Sequence, residues 1–165
     1  MWNKLITWWR WVLGGVALIA LLLQLTNPPR TNPPLIPGHD LLATNAPPAE
    51  IAALLRTACY DCHSQETKWP WYSHVAPMSW LLAGHVNDGR KRLNFSEWPQ
   101  GDPQRAAKKW NRISEEVGSG DMPLPSYTWI HPPARLSAEQ RERLSKWAEQ
   151  ETRRLRAEAG GSQPQ

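Results

Sequence analysis

Apolar residues recur at helical spacing in four stretches of this chain, and a fifth stretch is apolar on nearly every face. That fifth stretch comes first, in MWNKLITWWRWVLGGVALIALLLQL. From Leu5 to Leu25, Arg10 is the single charge. About 20 apolar residues suffice to cross a bilayer, so residues 1–25 predict one N-terminal transmembrane helix. Arg10 would snorkel to the interface beside Trp8, Trp9 and Trp11, at the depth of an aromatic belt. Basic residues before the segment orient the N-terminus to the cytoplasm and the rest outward. A cleaved signal peptide is the rival reading, but LLLQLTNPPR offers no small-x-small cleavage site.

Proline pairs at 28–29, 33–34 and 47–48 then favour extended backbone. Residues 26–46 therefore predict a Pro-rich tether, shortened if Leu35, Ile36, Leu41 and Leu42 pack on the domain that follows. That domain is expected over 47–158. Its first helix begins at Pro47–Pro48 and carries Ile51, Leu54, Leu55 and Ala58 at i, i+3, i+4, i+7. A second spans about Ala76 to Leu93. A third runs from Asp102, an N-cap followed by Pro103 at N1, to Val117, where Gly-Ser-Gly stops it. A fourth starts at the capping box Ser137-Ala-Glu-Gln140 and turns Leu144, Trp147, Ala148 and Leu155 inward. Residues 159–165 predict a disordered tail. With almost no β-branched runs, the fold class is all-α with long loops.

Composition sharpens this. Eleven tryptophans against one phenylalanine and three tyrosines suit an interior that surrounds a flat ligand, as well as ordinary cores and interfaces. The formal charge is +4. Of 19 basic residues, Lys4 and Arg10 lie before residue 26 and all 15 acidic residues after it, leaving 17 basic against 15 acidic groups in the remainder. That balance argues against nucleic-acid binding.

The chemistry lies in LLRTACYDCHSQETKWPW, which holds both cysteines, Cys59 and Cys62, with His63 directly after. A zinc site needs four ligands and there is no second CxxC. A thioredoxin-type dithiol needs a βαβ context that is missing here. A Cys59–Cys62 disulfide, which would leave a Trp-rich interaction domain, constrains little chain entropy. None of these uses His63. Cys-x-x-Cys-His is the attachment sequence of c-type haem: two thiols meet the two vinyl groups and the imidazole reaches iron. One haem c through Cys59 and Cys62 is therefore expected, with His63 as proximal ligand.

For the sixth position, Met122 in GSGDMPLPSYTW sits in a Gly/Pro loop stiffened by Pro123 and Pro125. A soft thioether favours reduced iron and suits an electron carrier. Met122 packing against an apolar ligand is the plainer alternative. His39, His74, His85 and His131 compete as ligands, and an open position would suit a sensor or a peroxidase-like enzyme.

The order of helix, CxxCH, long loop, Met loop and closing helix resembles class I cytochrome c. More narrowly, CYDCHSQETKWPWYSHVAPMSWLLAGHVNDGRKRLNFSEW followed by MPLPSYTWIHPPARLS is similar to the bacterial haem-binding domain family of exported, single-haem proteins. The resemblance covers about residues 40–150. It implies a cytochrome c-like helical domain around a covalently attached haem. Trp69, Trp71, Tyr72 and Trp80 are then expected as haem-pocket walls. Arg90, Lys91 and Arg92 are either propionate partners or a solvated surface. The reading is a membrane-anchored periplasmic electron carrier rather than an enzyme, single-pass in a bacterial inner membrane. It exchanges electrons with redox partner proteins that the sequence does not identify.

Overall fold

The computed structural model describes residues 2–161. Among them are eight α-helices and no strand: α1 Trp2–Gln24, α2 Leu41–Asn45, α3 Ala49–Ala58, α4 Tyr60–His63, α5 Met78–Arg92, α6 Pro103–Ser119, α7 Pro125–Ile130 and α8 Ala138–Gly161. Short 3₁₀ turns occur at Trp71–His74, Phe95–Glu97 and Pro132–Ala134. The all-helical expectation holds.

The transmembrane expectation does not. Among the described residues no helix is long and apolar enough to cross a membrane. The uninterrupted apolar run within α1 is Trp11–Leu23, 13 residues. At ~1.5 Å per residue it spans roughly 20 Å, against a hydrocarbon core of about 30 Å. The span from Leu5 to Leu25 includes Thr7 and a snorkelling Arg10, and Gly14 and Gly15 add length with little hydropathy. The single-pass anchor is set aside, together with the inner-membrane localisation that rested on it.

The described residues fall into two compact units. The first combines residues up to Thr31 with Lys68–Asn87. Polar side chains join its two segments. Asn27 donates to the His74 carbonyl (3.2 Å) and accepts from the Ser79 hydroxyl (2.5 Å). The Gln24 side chain accepts from the Ala76 N–H at 3.1 Å, and the Trp80 indole donates to the Thr26 carbonyl at 3.0 Å.

The second unit, Asn32–Thr67 with Asp88–Gln165, carries the main core. Residues 162–165, most of the expected tail, lie outside the described residues, and α8 is helical through Gly161. The apolar stripe of α3 (Ile51, Leu54, Leu55, Ala58) is buried as its spacing predicts. The caps are also where the sequence puts them. Asp102 accepts from the Arg105 N–H (2.8 Å), and Gly120 ends α6 at φ 87°, a left-handed conformation that costs glycine no strain. Ser137 and Gln140 satisfy each other's N–H at 3.1 and 2.8 Å, so α8 opens on a complete capping box.

At the centre Trp110 is wholly buried. Its ring meets Trp98 at 5.0 Å and Trp147, edge to face, at 4.7 Å. Burying ~150–250 Å² of indole contributes roughly 4–6 kcal/mol at ~25 cal/mol per Å². The expected tether is partly built into this core. Leu41 is fully buried and Leu42 packs partly, whereas Leu35 and Ile36 stay exposed. Asp40 explains the ordered turn: it caps α2 by accepting from the Leu42 N–H at 2.9 Å.

Candidate functional site

Cys59 ends α3, and the chain turns at once into α4. The Cys62 and His63 N–H groups both close on the Cys59 carbonyl, at 3.2 and 2.9 Å. The i, i+3 spacing puts the two thiols on one face of that turn. Both are free thiols, each half-buried. Burial pushes Cys59 up to about 12, with Cys62 adding to the effect. Burial likewise pushes Cys62 up to about 11, with Asp61 raising it further and Arg90 opposing. Both shifts run opposite to the depressed pKa of the reactive cysteine in a redox dithiol. Among the described residues no group of three or more His, Cys, Asp or Glu is placed to hold a metal ion by itself.

Side chains downstream satisfy the carbonyls this short helix leaves open. Ser64 Oγ donates to the Tyr60 carbonyl (2.7 Å) and Thr67 Oγ1 to the Asp61 carbonyl (2.7 Å). Arg90 Nε donates to the Ser64 carbonyl (2.8 Å), and its Nη2 reaches Thr67 Oγ1 (2.9 Å) and Asn32 Oδ1 (2.8 Å). Arg90 thus braces the loop after His63. Lys91 makes a loose surface pair with Asp88 at 3.9 Å, and Arg92 is exposed.

His63 is the most constrained of these side chains. Its Nδ1 lies 3.1 Å from the Gly89 carbonyl and 3.0 Å from the Leu93 carbonyl. Both partners can only accept, so Nδ1 carries the proton and the neutral ring keeps its lone pair on Nε2. Burial lowers the His63 pKa, which favours that neutral form, with the two carbonyls working the other way. Phe95 flanks the ring at 5.9 Å. The approach to α5 requires glycine at 89. A Cβ there would stand 2.6 Å from the Cys62 carbonyl oxygen and 3.2 Å from its carbon.

The Met122 segment reaches the same neighbourhood from the other side of the sequence. The Met122 N–H donates to the Glu116 carbonyl at 3.0 Å. Glu116 is itself close enough to His63 to act on its charge. Beyond Pro123 the chain enters α7, where the Tyr127 hydroxyl donates to Asp61 Oδ2 at 2.6 Å. Asp61 lies between the two cysteines, so the Met loop is tied directly to the CxxCH turn. Met122 is half-buried.

The other expected site residues are distributed differently. Trp69, Trp71, Tyr72 and Trp80 all belong to the first unit. Trp71 is 79% exposed and stands edge-on to Tyr72 at 5.9 Å, while Trp80 is engaged with Thr26. Of the competing histidines, His74 and His85 are in that unit also. In the second unit, His131 stacks on Tyr127 at 4.1 Å, and His39 is half-buried, its carbonyl accepting from the Trp98 N–H at 2.8 Å.

A family model described as a haem-binding domain matches residues 18–150. The chain belongs to the haem-binding domain family. No curated protein and no solved structure matches it. In this haem-binding domain the CxxCH turn fits the group its family binds. It presents two thiols about one helical turn apart and an imidazole whose Nδ1 is held by two backbone carbonyls, leaving Nε2 with its lone pair. Three positions that matter around this turn were not legible beforehand: Gly89 and Tyr127, which contact it from α5 and α7, and Asp61, which Tyr127 meets. Gly89 carried a faint signal, since glycine inside a helical pattern often marks a close approach. Asp61 and Tyr127 carried none, because their pairing spans 66 positions.

Proposed function

We propose that this haem-binding domain is a mono-haem c-type cytochrome that carries single electrons, with its haem attached through Cys59 and Cys62 and its iron held between His63 and Met122. The observation that carries this reading is the His63 ring, fixed by two backbone carbonyls so that Nε2 is the nitrogen offered to iron. Metal-binding histidines are oriented by this kind of bond at the second nitrogen. Bound haem supplies one-electron exchange at its iron.

The chain's own residues do the rest. Cys59 and Cys62 would hold the haem through two thioether bonds, each thiol giving its sulfur and its hydrogen across one vinyl group, with no net oxidation and no leaving group. Burial raises both thiol pKa values, which favours the protonated form that carries this hydrogen. His63 stays neutral and is held in one orientation. Met122, soft and uncharged, would favour reduced iron and raise the potential. Phe95 flanks the His63 ring and Trp98 packs beyond it, so the imidazole has an apolar, aromatic backing.

Potentiometry and absorbance of the haem-loaded protein test this directly. A single reversible one-electron wave and a Met–iron charge-transfer band that disappears in Met122→Ala are expected. A wild-type protein that binds carbon monoxide rapidly, or turns over peroxide, would point instead to a sensor or enzyme with an open sixth position.

A further inference from the structure

Met122 is held on both sides, and the two holds differ in chemistry. On the α6 side the bond is backbone to backbone, from the Met122 N–H to the Glu116 carbonyl. On the α7 side it is a side-chain clasp, the Tyr127 hydroxyl donating to Asp61 Oδ2 at 2.6 Å. A short bond to a carboxylate is among the stronger neutral-to-charged contacts. It ends inside the attachment motif, two residues before His63.

The clasp is braced from behind. The Tyr127 ring stacks on His131 with centroids 4.1 Å apart and planes at 21°. His131 is itself fixed, with Nδ1 3.1 Å from the Tyr127 carbonyl. The phenol is therefore pre-set toward Asp61, and little side-chain entropy opposes the bond. Four residues separate Tyr127 from Met122, and α7 begins between them, so opening the clasp frees that side of the loop carrying the sulfur.

We infer that Asp61 and Tyr127 are positioning residues that hold the Met122 loop closed over the haem and so keep its sixth iron position occupied. This rests on the His63/Met122 reading and adds to it a determinant of whether small external ligands gain entry. The pair acts through Met122, so its removal is expected to leave haem attachment intact.

The test uses haem-loaded wild type, Tyr127→Phe, Asp61→Asn and the double variant, with free imidazole as probe of the ferric protein and carbon monoxide as probe of the ferrous protein. Tyr127→Phe keeps the ring that stacks on His131 and removes only the hydroxyl. Imidazole affinity and the carbon monoxide association rate are expected to rise about tenfold or more, the ratio that ~1.4 kcal/mol represents. Asp61→Asn, which keeps an acceptor but not the charge, should fall between wild type and Tyr127→Phe. The double variant should show no more than the larger single effect, since both changes remove one interaction. Covalent haem content should be unchanged throughout.

Wild-type ligand binding in both single variants would overturn the inference, even if their urea midpoints in the haem-free state had fallen, because a merely structural pair would move stability alone. Should Tyr127→Phe fail to accumulate as folded protein, Asp61→Asn decides on the same criterion. A wild-type protein lacking the Met–iron band would overturn the His63/Met122 reading and the clasp together. A normal band with unresponsive variants would overturn the clasp only.

Discussion

Replacing Gly89 by alanine drives a methyl group into the backbone of the attachment motif. The new carbon would stand 2.6 Å from the Cys62 carbonyl oxygen, 3.2 Å from its carbon and 3.4 Å from the Cys62 Cβ. Two of those atoms are main chain and cannot rotate aside. Relief requires α5 and the CxxCH turn to separate by several tenths of an ångström, and overpacking of this kind costs typically ~1–3 kcal/mol. The same separation stretches the 3.0 and 3.1 Å bonds from His63 Nδ1, adding about 1 kcal/mol. Alanine's better helix propensity returns about 1 kcal/mol. The net expectation is a loss of roughly 1–3 kcal/mol. Gly84, in the same helix, has no atom within 4 Å of where its Cβ would sit. Gly84→Ala should therefore stabilise by ~0.5–1 kcal/mol. Urea unfolding of the haem-free protein reads both variants, so helix propensity is controlled inside one element. Gly89→Ala at or above wild-type stability, or the two variants moving together, would refute the close-approach argument.

Three further predictions follow the same logic. Met122→Ala should abolish the Met–iron charge-transfer band, lower the reduction potential and admit carbon monoxide, all read by absorbance and potentiometry; a retained band would point to another ligand. Tyr60→Phe removes a hydroxyl that donates to both Asp40 oxygens, at 3.1 and 3.0 Å, and should cost ~1–2 kcal/mol in urea unfolding. Burial, then the Asp40 charge, raises the Tyr60 pKa above its ordinary 10.0. A raised folded-state pKa stabilises fully below that value and loses its contribution above it, so the gap between wild type and Tyr60→Phe should narrow above about pH 10. A gap that stays constant to pH ~11 would contradict this. Ser137→Ala breaks the capping box and should cost about 1 kcal/mol, or ~2–4 °C in Tm for a domain of this size; no change would show that the cap is dispensable.

The helices of the second unit were readable where a local rule sufficed. The α3 stripe, the Asp102–Pro103 start and Gly120 stop of α6, and the Ser137–Gln140 box all act within a few residues. The short helices α2 and α7 escaped because their stability is not local. α2 is five residues long and depends on Asp40, which meets Tyr60 20 positions away, and on Leu41 reaching the core. α7 lies in what reads as a Pro-rich loop, and its anchor is Asp61. α1 shows the opposite fault: a long stretch with few charges looked sufficient until its apolar run was measured against a bilayer's thickness. At the candidate site, Cys59, Cys62 and His63 stand out in the sequence because they are adjacent in one CxxCH motif. What orients His63 and what holds Met122 come from Gly89, Leu93, Glu116 and Asp61, positions that only the folded chain brings near.

The central claim is covalent attachment of one haem at the CxxCH turn. Protein made with a c-type maturation system, digested after acidic acetone extraction, should yield one haem-bearing peptide containing Cys59 and Cys62, heavier by the mass of a single haem. A peptide of unmodified mass, with all haem released into the acetone, would contradict it.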